Sequence, residues 1–334
     1  MLATRIVFVI DKIEYKYFEF NELVTSFWLI KEFLLREKEV YITTIDKLSL
    51  DLNRPIAHLY KAFMKPASED IYKENRYIEA DLNDFDVIFF RPDPPVNIEY
   101  IFATQILDFV DKNRTFILNS SSGIRKANEK LYINNFPEFV PASVTTSNSD
   151  HIREFVSQYG EAVLKPLNRC FGKGVFYLKK GDKNLNTIIE TATDHKKTPV
   201  IVQEYLKKAN NQDKRVIMIA GECYEECLIK LSSEEDFKFT NHRDQFLKKA
   251  ELTERERYIC SEISGKLMED GLYMVGLDTM DDRIIEINVT SPCFFIKELN
   301  KMFGVALEKR IADDVEKLVK KQVKPSSRIC AGSL

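Results

Sequence analysis

The hydrophobic pattern along the first 120 residues switches repeatedly between two periods. In RIVFVI (5–10) an unbroken apolar run from Ile6 to Ile10 is ended by Asp11, which predicts a short buried strand. NELVTSFWLIKEFLLREK (21–38) instead carries Leu23, Phe27, Ile30 and Leu34 at helical spacing. VYITTI (40–45), DVIFFR (86–91) and TFILN (115–119) read as further strands, with a helix at EYIFATQILDFVDKN (99–113). Residues 46–80 give no clear period, because Pro55 and Pro66 break it. Strand–helix alternation predicts an open parallel sheet wrapped by helices, in which ligands bind beyond the carboxyl ends of the strands. Arg91 and Asn119 stand at two such ends.

From residue 123 the texture changes. GIRKANEKLYINNF (123–136) reads as a short helix, and another is expected near 149–159. Strands follow at EAVLKP, GVFYLKK, PVIVQEYL, KRVIMIAG (214–221) and ECYEECLIKL (222–231), with a helix near 185–194 among them. A polar stretch from Ser232 to Lys249 separates these from a helix at 253–270. LYMVGLD, a turn at Met280–Asp282 and RIIEINV complete a hairpin, and helices within 294–321 lead to a polar tail. The pattern predicts an α/β protein in which an open parallel sheet precedes an α+β unit of two lobes, with the change of texture after residue 122 and a disordered tail at 322–334.

Composition narrows the class. The 334 residues are 44% hydrophobic and 30% charged, with a net charge of −3. Interspersed charge near neutrality argues against nucleic acid or a membrane surface as the defining partner. No apolar run approaches the roughly 20 residues that span a bilayer, and the start lacks the ~7–15 apolar residues of a secretory signal. Six cysteines without a CxxC pair read as reduced thiols of a cytoplasmic protein. Cys223 and Cys227 lie four apart on an alternating strand with no flanking histidine, which favours strand thiols over a metal pair.

The polar positions inside apolar strands carry the candidate chemistry. In RIIEINV, Glu286 and Asn288 share one strand face, with Ile285, Ile287 and Val289 on the other. A turn of about three residues sets Asp278 opposite Glu286. Two carboxylates and an amide oxygen are hard ligands of the kind magnesium takes beside water and phosphates, and a solvated hairpin face is the alternative. Lys165 ends an apolar strand, where an ammonium needs an anionic partner. Gly172 and Gly174 form a Gly-x-Gly turn that lets backbone amides approach a phosphate, or that merely joins two strands. Gln203 and Glu204 end a strand and can read an adenine edge or a ribose. No GxGxxG follows RIVFVI, which excludes a dinucleotide-binding reading of the first domain.

The order of these features is that of the ATP-grasp fold: a helix lysine, a strand lysine, a glycine turn, Gln-Glu, then Asp…Glu-x-Asn. RPDPP (91–95) with EYIFATQIL, NEKLY (128–132), VLKPL (163–167), DKRV (213–216), GLD (276–278) and EINVTSP (286–292) make the resemblance closer. Over residues 5–315 the chain resembles the bacterial glutathione synthetase family. The resemblance implies a Rossmann-like amino-terminal domain at 1–122, a central ATP-grasp lobe at 123–205 and a carboxyl-terminal ATP-grasp lobe at 206–321, with ATP bound between the last two. Phosphates would contact Lys130 and Lys165, with Gly172 and Gly174 in the turn. The adenosine would meet Gln203, Glu204, Tyr205 and Leu206, with Asp213 and Arg215 nearby. Asp278, Glu286 and Asn288 would hold magnesium, with manganese as an alternative ion. Arg91, Asn119, Thr290 and Ser291 would face the peptide, while Arg215, Lys230 and Asn241 would serve the reaction itself. The implied reaction joins γ-glutamylcysteine to glycine through an acyl phosphate. The implied assembly is a homotetramer, without nucleic-acid or membrane partners.

Two stretches depart from the family pattern. Asn168–Phe171 precede Gly172 where the family carries more glycine. The second is SSEEDFKFTNHRDQFLKK, which stands where the family has an arginine-bearing loop containing Asn-Leu-Ala-Ala-Gly-Gly. No glycine occurs between Gly221 and Gly265, and Lys230 occupies the place of an arginine, whose bidentate grip it cannot copy. The departure leaves room for a ligase with a different amine acceptor, or for a nucleotide-binding homologue without catalysis.

Overall fold

The computed structural model describes residues 5–11, 23–65, 70–170, 172–207, 212–232 and 246–322. The first sheet has strands β1 (Arg5–Ile10), β2 (Glu39–Thr44), β3 (Leu48–Asp51), β4 (Arg54–Met64), β5 (Ile71–Lys73), β6 (Ile78–Asp81), β7 (Val87–Phe90) and β8 (Phe116–Leu118). Its order is β3-β4-β2-β1-β7-β8, with β5 and β6 also pairing with β4. The four strands β2-β1-β7-β8 are parallel, as the alternation predicted. Residues 46–80, which gave no period, form the antiparallel flank β3–β6. The sheet is therefore mixed. Strands β3, β5 and β6 are only three or four residues long, and Pro55 lies inside the longer β4, paired with Leu50.

Both faces of this sheet are covered. Ile6, Phe8 and Ile10 of β1 join one core, and Val7 and Val9 the opposite one, the period of two expected of a strand. Helix α1 (Thr25–Leu35) covers the first face with Leu29, Ile30 and Phe33, while Leu23 stays 45% exposed, so the buried stripe runs beside the one its spacing suggested. Helix α2 (Ile98–Leu107) covers the second with Tyr100, Ala103 and Leu107. The short α3 (Ser121–Lys126) follows β8.

The second sheet is β11-β10-β12-β9, all antiparallel: β9 (Ser143–Thr146), β10 (Glu161–Pro166), β11 (Phe176–Lys179) and β12 (Val200–Glu204). Helices α4 (Ser149–Tyr159) and α5 (Leu185–Ala192) cover one face. The third sheet is also antiparallel, β16-β15-β13-β17-β18 with β14 on β13. Its strands are β13 (Gln212–Ile219), β14 (Glu222–Cys223), β15 (Glu226–Leu231), β16 (Leu247–Glu251), β17 (Met274–Met280) and β18 (Arg283–Asn288). ECYEECLIKL is thus two strands, and the end of the polar stretch is strand β16. Residues 233–245, with Asn241, lie outside the described residues. Helix α6 (Glu254–Glu269) begins at a reciprocal cap: Thr253 accepts from Glu256 N, and the Glu256 carboxylate accepts from Thr253 N.

Helices α7 (Ile296–Phe303) and α8 (Leu307–Gln322) return the chain to the first sheet. Leu307, Ile311 and Val315 of α8 pack in the core that holds Leu29 and Phe33 of α1, and Arg36 reaches Asp313 at 2.7 Å. The expected tail at 322–334 lies outside the described residues after Gln322. No helix among the described residues is long and apolar enough to cross a membrane.

Candidate active site

A cavity of about 640 Å³ opens where the second and third sheets face each other beside the carboxyl end of β7. That volume is typical of small-molecule sites. The third sheet contributes a row of charges paired across its strands. Asp213 of β13 lies opposite Lys230 of β15, Arg215 of β13 opposite Asp278 of β17, and Asp278 opposite Glu286 of β18. Lys230 Nζ donates to Asp213 Oδ2 at 2.6 Å and to Asp278 Oδ1 at 3.1 Å. Arg215 donates from Nε and Nη2 to the two Asp278 oxygens at 2.7 and 3.1 Å, and from Nη1 to Cys293 O at 2.7 Å. Gly276 makes room for this: a Cβ there would stand 3.0 Å from Pro292 Cβ and 3.1 Å from Arg215 Nη1.

The Asp278–Glu286 pairing depends on a bulge. Asp281 and Asp282, both at positive φ, form a two-residue turn that pairs Met280 with Arg283 and Thr279 with Ile284. A regular ladder from that turn would set Asp278 against Ile285. The register slips between Asp278 and Thr279, leaving Ile285 as the extra residue and bringing Glu286 opposite Asp278. The expected carboxylate pair is present, by a shorter turn plus a bulge rather than a three-residue turn. The bulge also corrects the reading of Ile285, which lines the cavity, whereas Ile284 and Ile287 enter the core.

Burial pushes the Asp278 carboxyl up, but Arg215 and Lys230 overcome it and hold the group well below the usual carboxylate range. Asp213 goes the other way, to about 6, because burial and the Asp278 charge outweigh Lys230. One Asp213 oxygen, Oδ1, is buried with no hydrogen-bond partner among the described residues. Asn288 Nδ2 donates to Gly276 O at 3.1 Å and Asp278 Oδ2 at 3.2 Å, so its side-chain oxygen is left as an acceptor.

The second sheet offers a different wall. Lys165 of β10 stands opposite Ile201 of β12, and its ammonium has no hydrogen-bond or ion-pair partner among the described residues. Burial draws its pKa down, with partial compensation from Glu286. Gln203 lines the cavity 2% exposed, with Nε2 unpartnered among the described residues. Val163, Tyr205, Leu206, Met280 and Ile285 make the adjoining surface apolar. Glu204 also lines it and holds Arg283. Gly172 at φ +67° lines the cavity, while Gly174 at φ +73° packs on Pro166 and stands back from it.

Lys130 joins the two walls. The sequence placed it near a helix start, but it lies in a turn after α3, held by Asn128 Oδ1, which accepts from Lys130 N and Leu131 N. It is 6% exposed, and its Nζ donates to Glu286 Oε1 and Arg169 O, each at 2.9 Å. Burial disfavours its charge, yet Glu286 raises its pKa.

The end toward the first sheet holds Arg91, Asp93, Thr290 and Ser291. Arg91 donates to Ser26 Oγ at 3.0 Å and Pro292 O at 2.9 Å. Asn119 does not join them. Its Nδ2 donates to Met274 O and Val289 O, and its Oδ1 accepts from Tyr273 N and Met274 N, so the expected substrate contact is replaced by a tie between β8 and the third sheet. Reasoning from the sequence missed Glu129 and Asp93, although both sit inside the motifs NEKLY and RPDPP that carried the resemblance. Asp93 is pushed up to about 6 by burial and by the neighbouring Asp11.

The comparisons agree with the order of these features. Residues 4–125 match the N-terminal domain of prokaryotic glutathione synthetase, and residues 129–304 match its ATP-grasp domain. A glutathione synthetase of Nostoc sp. is 36% identical over 302 residues, covering 88% of this chain and 93% of that one. One of Thermosynechococcus vestitus is 40% identical over 230 residues, 69% of this chain and 72% of that one. Among solved structures, the D-cycloserine synthetase DcsG aligns with TM-score 0.64 at 14% identity, covering 95% of this chain and all of that one. D-alanyl-alanine synthetase A from Vibrio cholerae aligns at 0.60 and 11%, covering 96% and 99%. At such identities these structures share the fold.

Proposed function

The chain belongs to the prokaryotic glutathione synthetase family, and on that premise we propose that it joins the cysteinyl carboxylate of γ-glutamylcysteine to the amine of glycine. It is an ATP-dependent ligase that forms a C–N bond, takes small-molecule substrates and works with a divalent metal. The observation that carries the proposal is one cavity that sets Asp278, Glu286 and Asn288 across from Lys165, with Lys130 between them and Arg91, Thr290 and Ser291 beyond.

In this reading the adenine lies in the apolar slot of Val163, Tyr205, Leu206 and Ile285, where the unpartnered Gln203 Nε2 needs an acceptor, and Glu204 meets the ribose. Lys130, Lys165 and the amides around Gly172 take the phosphates. The donor set fits magnesium, with manganese as a substitute: Asp278 is kept ionised, Glu286 is ion-paired, and Asn288 has an acceptor oxygen to spare. When bound, the ion would offset charge on the phosphoryl oxygens.

The carboxylate attacks the γ-phosphorus, the bond to the β-phosphate oxygen breaks, and ADP leaves. The amine then attacks the acyl carbon, loses a proton and displaces phosphate, leaving the amide. Lys165 and Lys130 offset the charge that spreads over the transferred group, and Arg215 with Lys230 holds the charged wall in place. Arg91, Thr290 and Ser291 orient the peptide. No protein nucleophile is needed.

We also read residues 1–122, 123–205 and 206–321 as the three domains, which the grouping of the sheets supports. The free thiols support a cytoplasmic location. The exposed Ile98 and Phe102 of α2, with Phe109 just past its end, support a homo-oligomer, a tetramer by family resemblance. The glycine-free stretch after β15 favours one second reading, a ligase with another amine. Phosphate release from ATP with γ-glutamylcysteine and a panel of amines decides between them. Glycine is expected to give the highest kcat/KM, and turnover only with another amine would sink the first reading.

A further inference from the structure

The tripeptide Asn128-Glu129-Lys130 sends its three side chains to three places. Asn128 Nδ2 donates to Leu167 O at 3.0 Å, at the end of β10. Lys130 bridges Glu286 and Arg169 O. Glu129 takes hold of the chain beyond β18. Its Oε1 accepts from Val289 N at 2.9 Å, Thr290 N at 3.1 Å and Thr290 Oγ1 at 2.9 Å, and its backbone oxygen accepts from Ile287 N at 3.0 Å. One side-chain oxygen therefore fixes two consecutive peptide planes and a hydroxyl. It does so where the strand bearing Glu286 and Asn288 gives way to Thr290 and Ser291.

This grip is built from acceptor geometry, not charge. Among the described residues Glu129 Oε1 meets three hydrogen-bond donors, and its carboxylate has no ion-pair partner. The three donors need only an oxygen at that point. Without it, two backbone N–H groups and a hydroxyl at the cavity wall lose their acceptor, and the main chain between the metal strand and the peptide face is no longer fixed.

We propose that Glu129 is a positioning residue for the ligation, setting Val289 and Thr290 so that the Thr290–Ser291 face meets the peptide in register with Glu286 and Asn288. The inference rests on reading that face as the peptide site. It predicts that side-chain length matters at position 129 and charge does not.

The test uses the full chain with Mg²⁺, ATP, γ-glutamylcysteine and glycine, and two variants. E129Q keeps an acceptor oxygen at the same reach and removes the charge. E129D keeps the charge and withdraws the oxygen. E129Q is expected to stay within about 3-fold of wild type. E129D is expected to lose ~10–100-fold in kcat/KM for the peptide, the range seen when a ligand's supporting hydrogen bonds are removed. ADP affinity, measured by equilibrium binding on the same samples, is expected to be unchanged in both and reports that the nucleotide site is folded. An active E129D with a dead E129Q would overturn the inference, because charge would then be what matters. So would two variants equal to wild type, or an E129D that loses ADP affinity in step with turnover. A wild type inactive with γ-glutamylcysteine and glycine overturns the functional reading and this inference with it. An active wild type matched by E129D removes this inference alone.

Discussion

The two sheets that face each other across the cavity hold charge in opposite ways. On the third sheet, Lys230, Asp213, Arg215 and Asp278 pair across neighbouring strands, so two bases and two acids neutralise each other without any ligand. On the second, Lys165 lies opposite Ile201 and has no anionic partner within ion-pair distance among the described residues. The first wall is already charge-paired; on the proposed reading, the second is completed by the polyphosphate of ATP. The difference explains how one site can hold a fixed geometry and still gain affinity from a polyphosphate. The finished wall needs no reorganisation as charge develops, and the open lysine favours the ligand-bound state.

Breaking the finished wall should cost most. D278N leaves Arg215 and Lys230 buried without their shared partner, and ligand-free stability should fall by about 3–5 kcal/mol. Chemical denaturation measures this, and a loss under ~1 kcal/mol would mean that the charges are not mutually supporting.

A smaller effect should come from the Asp11–Asp93 pair, where two like charges meet. The Asp93 carboxyl titrates near 6 in the folded chain, above its unfolded value. The native state therefore takes up the proton first, and stability is gained as pH falls from about 6 toward 4. Above 6 the cost of a desolvated carboxylate beside Asp11 is fully present. D93N removes it and should be more stable than wild type at pH 8 by up to about 3 kcal/mol, a difference that vanishes near pH 4. Urea melts at the two pH values check this, and a pH-independent difference would break the account.

The smallest effect should have the opposite sign to the first. K165M removes a desolvated charge that has no partner, so the ligand-free protein should be unchanged or stabilised by up to ~1 kcal/mol. ATP should then protect it from heat less than it protects wild type, because the anion has lost its cation. Thermal melts with and without ATP separate the terms. A K165M variant destabilised as severely as D278N would erase the distinction between the walls.

Much of the site was readable from types and spacing alone. Glu286 and Asn288 interrupt an apolar strand at a period of two, and Lys165 ends another, so each announces a polar face or a buried charge. What spacing cannot supply is register between distant strands. The Arg215–Asp278 ion pair joins residues 63 apart in sequence, and the bulge that moves Asp278 opposite Glu286 leaves no local signature. Lys130 read as a helix residue, and its burial comes from partners distant in sequence, Glu286 of β18 and Arg169 O beyond β10. Asn119 looked like a ligand-facing residue because it ends a parallel strand, yet backbone groups of the third sheet use all of its hydrogen-bonding capacity. Strands β3, β5 and β6 are too short to show a period and Pro55 inside β4 reads as a breaker, whereas α6, with its capping box, was placed within a residue.

The most direct test of the mechanism follows an oxygen atom. If the peptide carboxylate attacks ATP, one of its oxygens must leave with the phosphate when the amine displaces it. With γ-glutamylcysteine labelled with heavy oxygen in its cysteinyl carboxylate, mass analysis of the released phosphate should find one labelled oxygen for each amide formed with glycine. Unlabelled phosphate accompanying amide formation would contradict the acyl-phosphate route and the roles assigned to the two walls.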